Sequence, residues 1–386
     1  MPTISIRSLS EADTIRGIWE GWQQHPNADL AHFQLICGFR GEVKHPYIIV
    51  AERDGEPCAL LVGRLERTRF APSIGYLKLI RIPATVLTIV YQGSLGQLDE
   101  EVAEALVSHL RFLLLSRKVD AVTAHHLPES SPLLKFLLNR CSQWLLKKSP
   151  EWSTHWEMVL QDKPGFLLKK LGSKHRYAIR KRERELESAF PGKVSWRWMN
   201  RFDDVPGLCS RLEVVAARTY QRGLGAGFVD NEEHRQRLVL FAIRGHLRVQ
   251  LLEIDGKVRA FWFGQVYRGV FHSDATGYDP DLGEYQIGTL VFLHLVDELV
   301  KEGVRKLDFG LGDAQYKQRF GDESWRETTV TMFAPTAKGL LLKSVLWGCS
   351  VLDRAGRRLL EKTGLLDRIK TGWRKQLASK TMAGAE

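Results

Sequence analysis

Between Leu247 and Ala334 the pattern of apolar and polar residues changes period several times, and the changes predict a compact run of elements. Leu247 to Ile254, Val258 to Tyr267 and Val270 to Tyr278 read as strands. Asp255-Gly256 and Arg268-Gly269 supply the hairpin turns between them. From Ile287 to Gly303 the period becomes helical, with Leu290, Val291, Leu293, Leu295, Val296, Leu299 and Val300 on the apolar stripe and Gly303 as the stop. Lys306 to Gly310 reads as a short strand, Asp313 to Phe320 as a short helix, and Thr328 to Ala334 as a last strand. The order is three antiparallel strands, helix, strand, helix, strand.

The first part of the chain repeats this grammar. Tyr47 to Leu65 holds two apolar runs around Arg53-Asp54-Gly55-Glu56, matching the hairpin at Asp255-Gly256. Leu77 to Tyr91 follows as one or two strands broken by Pro83, then a helix from Leu98 to Arg117 and a strand from Val119 to Ala124. Arg117-Lys118-Val119-Asp120 corresponds to Arg305-Lys306-Leu307-Asp308, each following an amphipathic helix. Two such matches in one order point to an internal duplication. The expected division is 1–160, a non-catalytic half, 165–336, a catalytic half, and 337–386, a basic helical tail. Trp152 to Leu160 reads as a strand crossing between the halves.

The two helix starts differ in charge. An N-terminus offers unpaired backbone N–H groups and the positive end of the helix dipole, a natural seat for phosphate. At Gln286-Ile287-Gly288-Thr289 a side-chain-free glycine gives access to those donors, whereas Asp99-Glu100-Glu101 would repel an anion. With 386 residues, a net charge of +11 and a pI near 9.4, the chain suits an anionic partner. The five cysteines are scattered without a metal-binding spacing, so reduced thiols, no metal and a cytoplasmic protein are expected. Met1 to Trp22 lacks a signal-peptide core.

On these residues a family resemblance rests. The element order with Gly288 after the third strand resembles the acyl-CoA-binding half of the GNAT acyltransferases. Phe309-Gly310-Leu311-Gly312-Asp313-Ala314-Gln315-Tyr316-Lys317-Gln318-Arg319-Phe320-Gly321 resembles the signature of the CelD-like (BioF-type) acetyltransferases of bacterial polysaccharide synthesis. Its Lys317-x-x-Phe320-Gly321 core is similar to the Fem aminoacyltransferases, and the resemblance spans about 165–334. It implies an α+β fold of two tandem GNAT-like units, each a mixed, mainly antiparallel sheet flanked by helices. It also implies an acetyl-CoA or other acyl-CoA donor and an amine acceptor on a sugar or glycan precursor. GNAT enzymes usually place an Arg or Gln and several glycines at the phosphate turn; here one glycine remains.

The candidate donor site is therefore Gln286, Ile287, Gly288 and Thr289. Asp274 is the first candidate for general base and His272, two residues away, the rival. Tyr316 matches the position of the thiolate-protonating tyrosine of many GNAT enzymes, and Lys317 takes a Fem-like charge-stabilising position. Neighbours on a helix diverge by about 100°, so Tyr316 and Lys317 cannot both face one atom. Asp313 suits a cap on this helix. Arg176 and Arg180 recur along a helix for which Ser173 is a candidate N-cap; they are either phosphate ligands or part of a solvated, ion-paired face. His125 and His126 read as structural, and the glycine-spaced stretch Arg222 to Phe228 as a loop or a lid.

The tail joins Leu340, Leu341, Leu342, Val345, Leu346 and Trp347 to Arg354, Arg357, Arg358, Lys362, Arg368, Lys370, Arg374 and Lys375. Such a segment either packs on its own domain or meets an anionic membrane. Two other functions fit the residues: transfer from aminoacyl-tRNA, the one reading that calls for nucleic acid, and a non-enzymatic scaffold of a membrane-associated synthase.

Overall fold

The computed structural model describes residues 2–7, 14–74, 77–78, 81–140, 151–219, 222 and 227–362. Gly223 to Ala226 of the lid candidate, Cys141, and Arg368, Lys370, Arg374 and Lys375 of the tail lie outside them. The chain divides into two compact units, Met1–Thr154 with Trp325–Gly364, and His155–Ser324 with Leu365–Glu386.

In the first unit, β1 (Thr3–Arg7) is followed by helices α1 (Arg16–Trp22) and α2 (Leu30–Phe39). The hairpin of β2 (Val43–Arg53) and β3 (Glu56–Phe70) turns on Asp54 and Gly55, both with positive φ. A two-residue pair, β4 (Ser73–Ile74) and β5 (Leu77–Lys78), precedes β6 (Ile82–Gly96). Pro83 does not break β6. It stands at the second residue, where a missing N–H is tolerated, and the strand runs on through Tyr91 to Gly96. Helix α3 (Glu100–Leu115) then leads to β7 (Ala121–Pro128) and α4 (Pro132–Arg140). Strands β1, β2, β3 and β6 pair antiparallel in that order, and β6 pairs parallel with β7.

The second unit begins in β8 (Trp152–Val159) and continues through α5 (Phe166–Lys170), α6 (Ser173–Ala189), β9 (Val194–Met199), α7 (Val205–Ala216) and α8 (Glu232–Ile243). The meander of β10 (Leu247–Ile254), β11 (Lys257–Tyr267) and β12 (Val270–Tyr278) has the predicted order, with left-handed turns at Asp255-Gly256 and Arg268-Gly269. Helix α9 (Ile287–Lys301), strand β13 (Lys306–Leu311) and α10 (Gln315–Phe320) complete it. Strands β9, β10, β11 and β12 are antiparallel neighbours, and β12 pairs parallel with β13. The chain then returns to the first unit as β14 (Glu323–Phe333) and α11 (Ala337–Lys362).

The two units thus share one strand order, an antiparallel series closed by a parallel pair across a helix. The strand flanking each parallel pair comes from elsewhere in the chain. β8, which follows the first unit's elements, pairs antiparallel with β13, and β14, which follows the second unit's, pairs antiparallel with β7. The core of the second unit packs α9 through Ile287, Val291, Leu295 and Leu299 against Leu252, Trp262, Phe271 and Leu307, with Met158 of β8 among them. A second cluster joins α7 and α8 to the other side of the meander through Leu212, Leu238, Phe261 and Phe263.

This pairing bears on how the chain can be cut. A fragment 155–324 keeps β8 beside β13, whereas 165–336 loses β8 and carries β14 without β7. The first is expected to unfold cooperatively in urea. The second is expected to be insoluble or to lack a cooperative transition, since β13 loses its antiparallel neighbour and β14 is left without its own.

Candidate active site

The parallel pairing of β12 with β13 ends at His272 opposite Asp308, and the two strands part from there. A bulge in β12 marks the place: Ser273 and Ala275 face consecutive residues of β11, leaving Asp274 as the extra residue. At the end of β13 and just past it, the positive φ angles of Gly310 and Gly312 turn the chain away. Beyond the parting lies a cavity of about 460 Å³, walled by Thr276 and Tyr278 of β12, Trp262 of β11, the start of α9, and Tyr316 and Phe320 of α10. Its aromatic side is closely packed, Trp262 lying 4.7 Å from Phe292 and 5.7 Å, edge-on, from Tyr316 between ring centroids.

The turn into α9 is built around Asp279. This buried carboxylate accepts the N–H of Asp281 at 3.1 Å and forms 2.8 Å ion pairs with Arg218 and Arg259. Pro280 follows it, an Asx-Pro turn that was legible in the sequence but went unread. Gln286 then takes a left-handed conformation (φ 53°), and no side chain caps the helix that starts at Ile287. The first bonds back to the Gln286 carbonyl come from Thr289 and Leu290, so the N–H groups of Ile287 and Gly288 precede the helical ladder. Gln286, Ile287, Gly288 and Thr289 all line the cavity. Gly288 has a packing reason as well: a Cβ there would come 3.1 Å from Tyr278 Cδ1, so its absence seats the tyrosine ring against the helix start.

The other expected residues go to different places. Tyr316 is on the cavity wall. Lys317, one position on, is buried and donates to the carbonyls of Phe309 at 2.7 Å, Gly310 at 3.3 Å and Leu311 at 2.5 Å; burial lowers its pKa. It satisfies the end of β13, where the chain leaves the sheet. Asp313 does not cap α10, whose N-cap is Ala314; it accepts from Trp156 and Gln318 instead. Asp274 is ion-paired with Arg237 of α8 at 3.0 Å. Arg176 donates to the Lys169 carbonyl, Arg180 is solvent-exposed, and neither belongs to the cavity wall. The N-cap of α6 is Gly172, one residue before the expected Ser173.

The chemically richest group near the parting is one that sequence reading missed. Asp308 accepts from His155 Nε2 at 2.7 Å, His272 Nδ1 at 3.1 Å and its own strand's Gly310 N–H at 2.6 Å. Burial opposes its charge, but the hydrogen bonds from the two histidines outweigh that cost and hold the carboxyl far below the usual range. An acid in the apolar run Leu307-Asp308-Phe309 was the available signal, since a carboxylate inside a core strand needs partners.

Residues 173–318 match the acetyltransferase (GNAT) domain family Acetyltransf_6. Among solved structures, FemX is similar over 86% of this chain and 97% of its own at 10% identity, with a TM-score of 0.54. A tandem GNAT protein from the clavulanic acid biosynthesis pathway is similar over 87% and 100% at 13% identity, with a TM-score of 0.52. A conserved protein of unknown function from Bacteroides thetaiotaomicron VPI-5482 is similar over 86% and 100% at 13% identity, also with a TM-score of 0.52. No curated protein matches the sequence. The fold is that of tandem GNAT proteins, and residues 173–318 are similar to GNAT acetyltransferase domains, whose fold implies an acyl-CoA donor. No helix among the described residues is long and apolar enough to cross a membrane.

The place of Lys317 yields a prediction. Replacing it by Ala leaves buried carbonyls at the end of β13 without their donor, so a loss of about 3 kcal/mol in stability is expected by urea unfolding. A variant as stable as the parent would return Lys317 to the list of groups free for chemistry.

Proposed function

We propose that the protein is an acyl-CoA-dependent N-acyltransferase acting on an amine of a sugar, polysaccharide precursor or related cell-envelope metabolite. The observation that carries this reading is the uncapped start of α9, opening with Gly288 onto an aromatic-walled cavity where β12 and β13 part. The N–H groups of Ile287 and Gly288 receive the donor pyrophosphate, with Gln286 and Thr289 beside them. The pantetheine arm runs along Thr276 to Tyr278, and the thioester reaches toward the parting point.

The amine attacks the thioester carbon, loses a proton to a base, and the thiolate leaves with a proton from Tyr316, giving an amide and free CoA. His272 is the base in this reading, because Asp274 is engaged by Arg237. The ionised Asp308 can only accept, so His272 Nδ1 carries a proton and Nε2 is left as the basic nitrogen. Asp308 is thereby a positioning residue.

Calorimetric titration with CoA and acetyl-CoA at moderate salt tests the donor site. Binding in the micromolar range is expected, weakened about tenfold or more by Gly288→Glu, which places a carboxylate at the anion seat and crowds Tyr278. No binding of either ligand, together with a salt-sensitive complex with aminoacyl-tRNA, would transfer the assignment to the tRNA-dependent reaction.

The base is tested by kinetics once an acceptor is found. His272→Gln is expected to lower kcat by about a hundredfold or more without weakening CoA binding. Asp308→Asn, which removes the negative charge facing the His272 Nδ1–H and leaves one acceptor oxygen where there were two, should reduce kcat at unchanged CoA affinity. Unaltered kcat in both variants would remove the pair from the chemistry.

A further inference from the structure

Helix α11 is apolar on two opposite faces, and only one is covered. Leu342 and Cys349 are buried; Leu342 sits in a cluster with Ala84, Val86, Ala121 and Phe333, against which Leu346 packs. At 100° per residue these positions fall on one side of the helix. Leu340, Leu341, Trp347, Val351 and Leu352 fall on the other and face solvent, Leu341 and Leu352 being more than half exposed. Ser344, Gly348 and Ala355 lie between them, so the stripe is continuous and carries no charge over about four turns. A helix that packs on its own domain needs one apolar face, and a second of this length marks a contact.

The flanking charges say what it meets. Lys343 and Arg354 fall at one margin of the stripe. The rest of the helix sequence adds Lys338, Arg357, Arg358 and Lys362 to these cations against Asp353 and Glu361, and the whole chain carries +11. A second protein surface would be served by the apolar stripe alone; an apolar stripe with a cationic margin and an interfacial tryptophan is the chemistry of insertion at an anionic lipid surface. We infer that α11 docks the protein on a membrane rich in anionic lipid, with the Leu340–Leu352 stripe in the acyl boundary and Lys343 and Arg354 at the headgroups. The contact is peripheral, since no described helix is apolar enough to cross. It is independent of the donor site, and it would bring the enzyme to acceptors carried on lipid.

Sedimentation of the full-length protein with vesicles tests it. Vesicles of phosphatidylcholine and phosphatidylglycerol should bind, vesicles of phosphatidylcholine alone should not, and raising the salt should weaken the complex. The double variant Leu341→Glu/Leu352→Glu should lower the vesicle partition coefficient about tenfold or more, and Lys343→Glu/Arg354→Glu should act similarly. Leu115→Glu, at an exposed apolar residue of α3, is the control and should bind as the parent does. Circular dichroism and CoA titration should be unchanged in all variants. Parent-like sedimentation of both double variants overturns the proposal. So does a parent that is dimeric by light scattering and becomes monomeric in Leu341→Glu/Leu352→Glu, because the stripe would then be covered by a second copy.

Discussion

The second unit is organised around one buried carboxylate. Asp308 stands at the last rung before β12 and β13 part, and it binds a histidine from β12, a histidine from β8 and the amide of Gly310 in its own strand. Three strands are therefore tied at the point where the sheet opens, and the cavity lies beyond it along β12, with none of Asp308, His155 and His272 in its wall. A charge buried this deeply is tolerable only while its partners remain, so the geometry of the candidate site and the integrity of the sheet depend on the same contacts. Lys317 acts one step further along, closing the carbonyls that the departing chain leaves open.

The third rung of the first unit's parallel pair is Thr123, where the second unit has Asp308. Asp120, which follows the matching Arg-Lys-Val tag, stands before the first rung. Its partners are the backbone N–H of Thr85 and the ammonium of Lys338, where Asp308 has two imidazoles. The helix starts diverge in the same sense. Asp99 caps α3 through the N–H of Val102, is paired with Arg53, and is followed by Glu100 and Glu101, whereas α9 has no acid in its first turn and no side-chain cap. One fold is thus present twice, with an uncapped helix start free of acids in one copy and a capped, acidic one in the other.

Much of the architecture was legible because it is governed by local rules. Asp54-Gly55 and Asp255-Gly256 adopt the left-handed angles that hairpins demand, Gly303 ends α9 with a φ of 76°, and the meander, helix and strand follow in the expected order. The start of α9 at Ile287 was legible for the same reason, since the first turn of a helix has unpaired donors whatever surrounds it. Pro83 misled because a proline stops a strand only where its N–H is needed, and near the start of β6 it is not.

What the tertiary structure decided was partnership. Spacing showed that Tyr316 and Lys317 diverge but not which faces the cavity, and burial placed the lysine against three carbonyls. Spacing put Asp274 beside His272 but could not show that Arg237, 37 residues earlier, takes the aspartate while Asp308, 36 residues later, orients the histidine. The crossing strand at Trp152 was visible as a strand, yet its pairing with β13, and that of β14 with β7, joins segments that are distant in sequence. Local pattern fixes which way a backbone can bend and which residues share a face, whereas the partner that satisfies a buried charge or a strand edge is chosen by the packed chain.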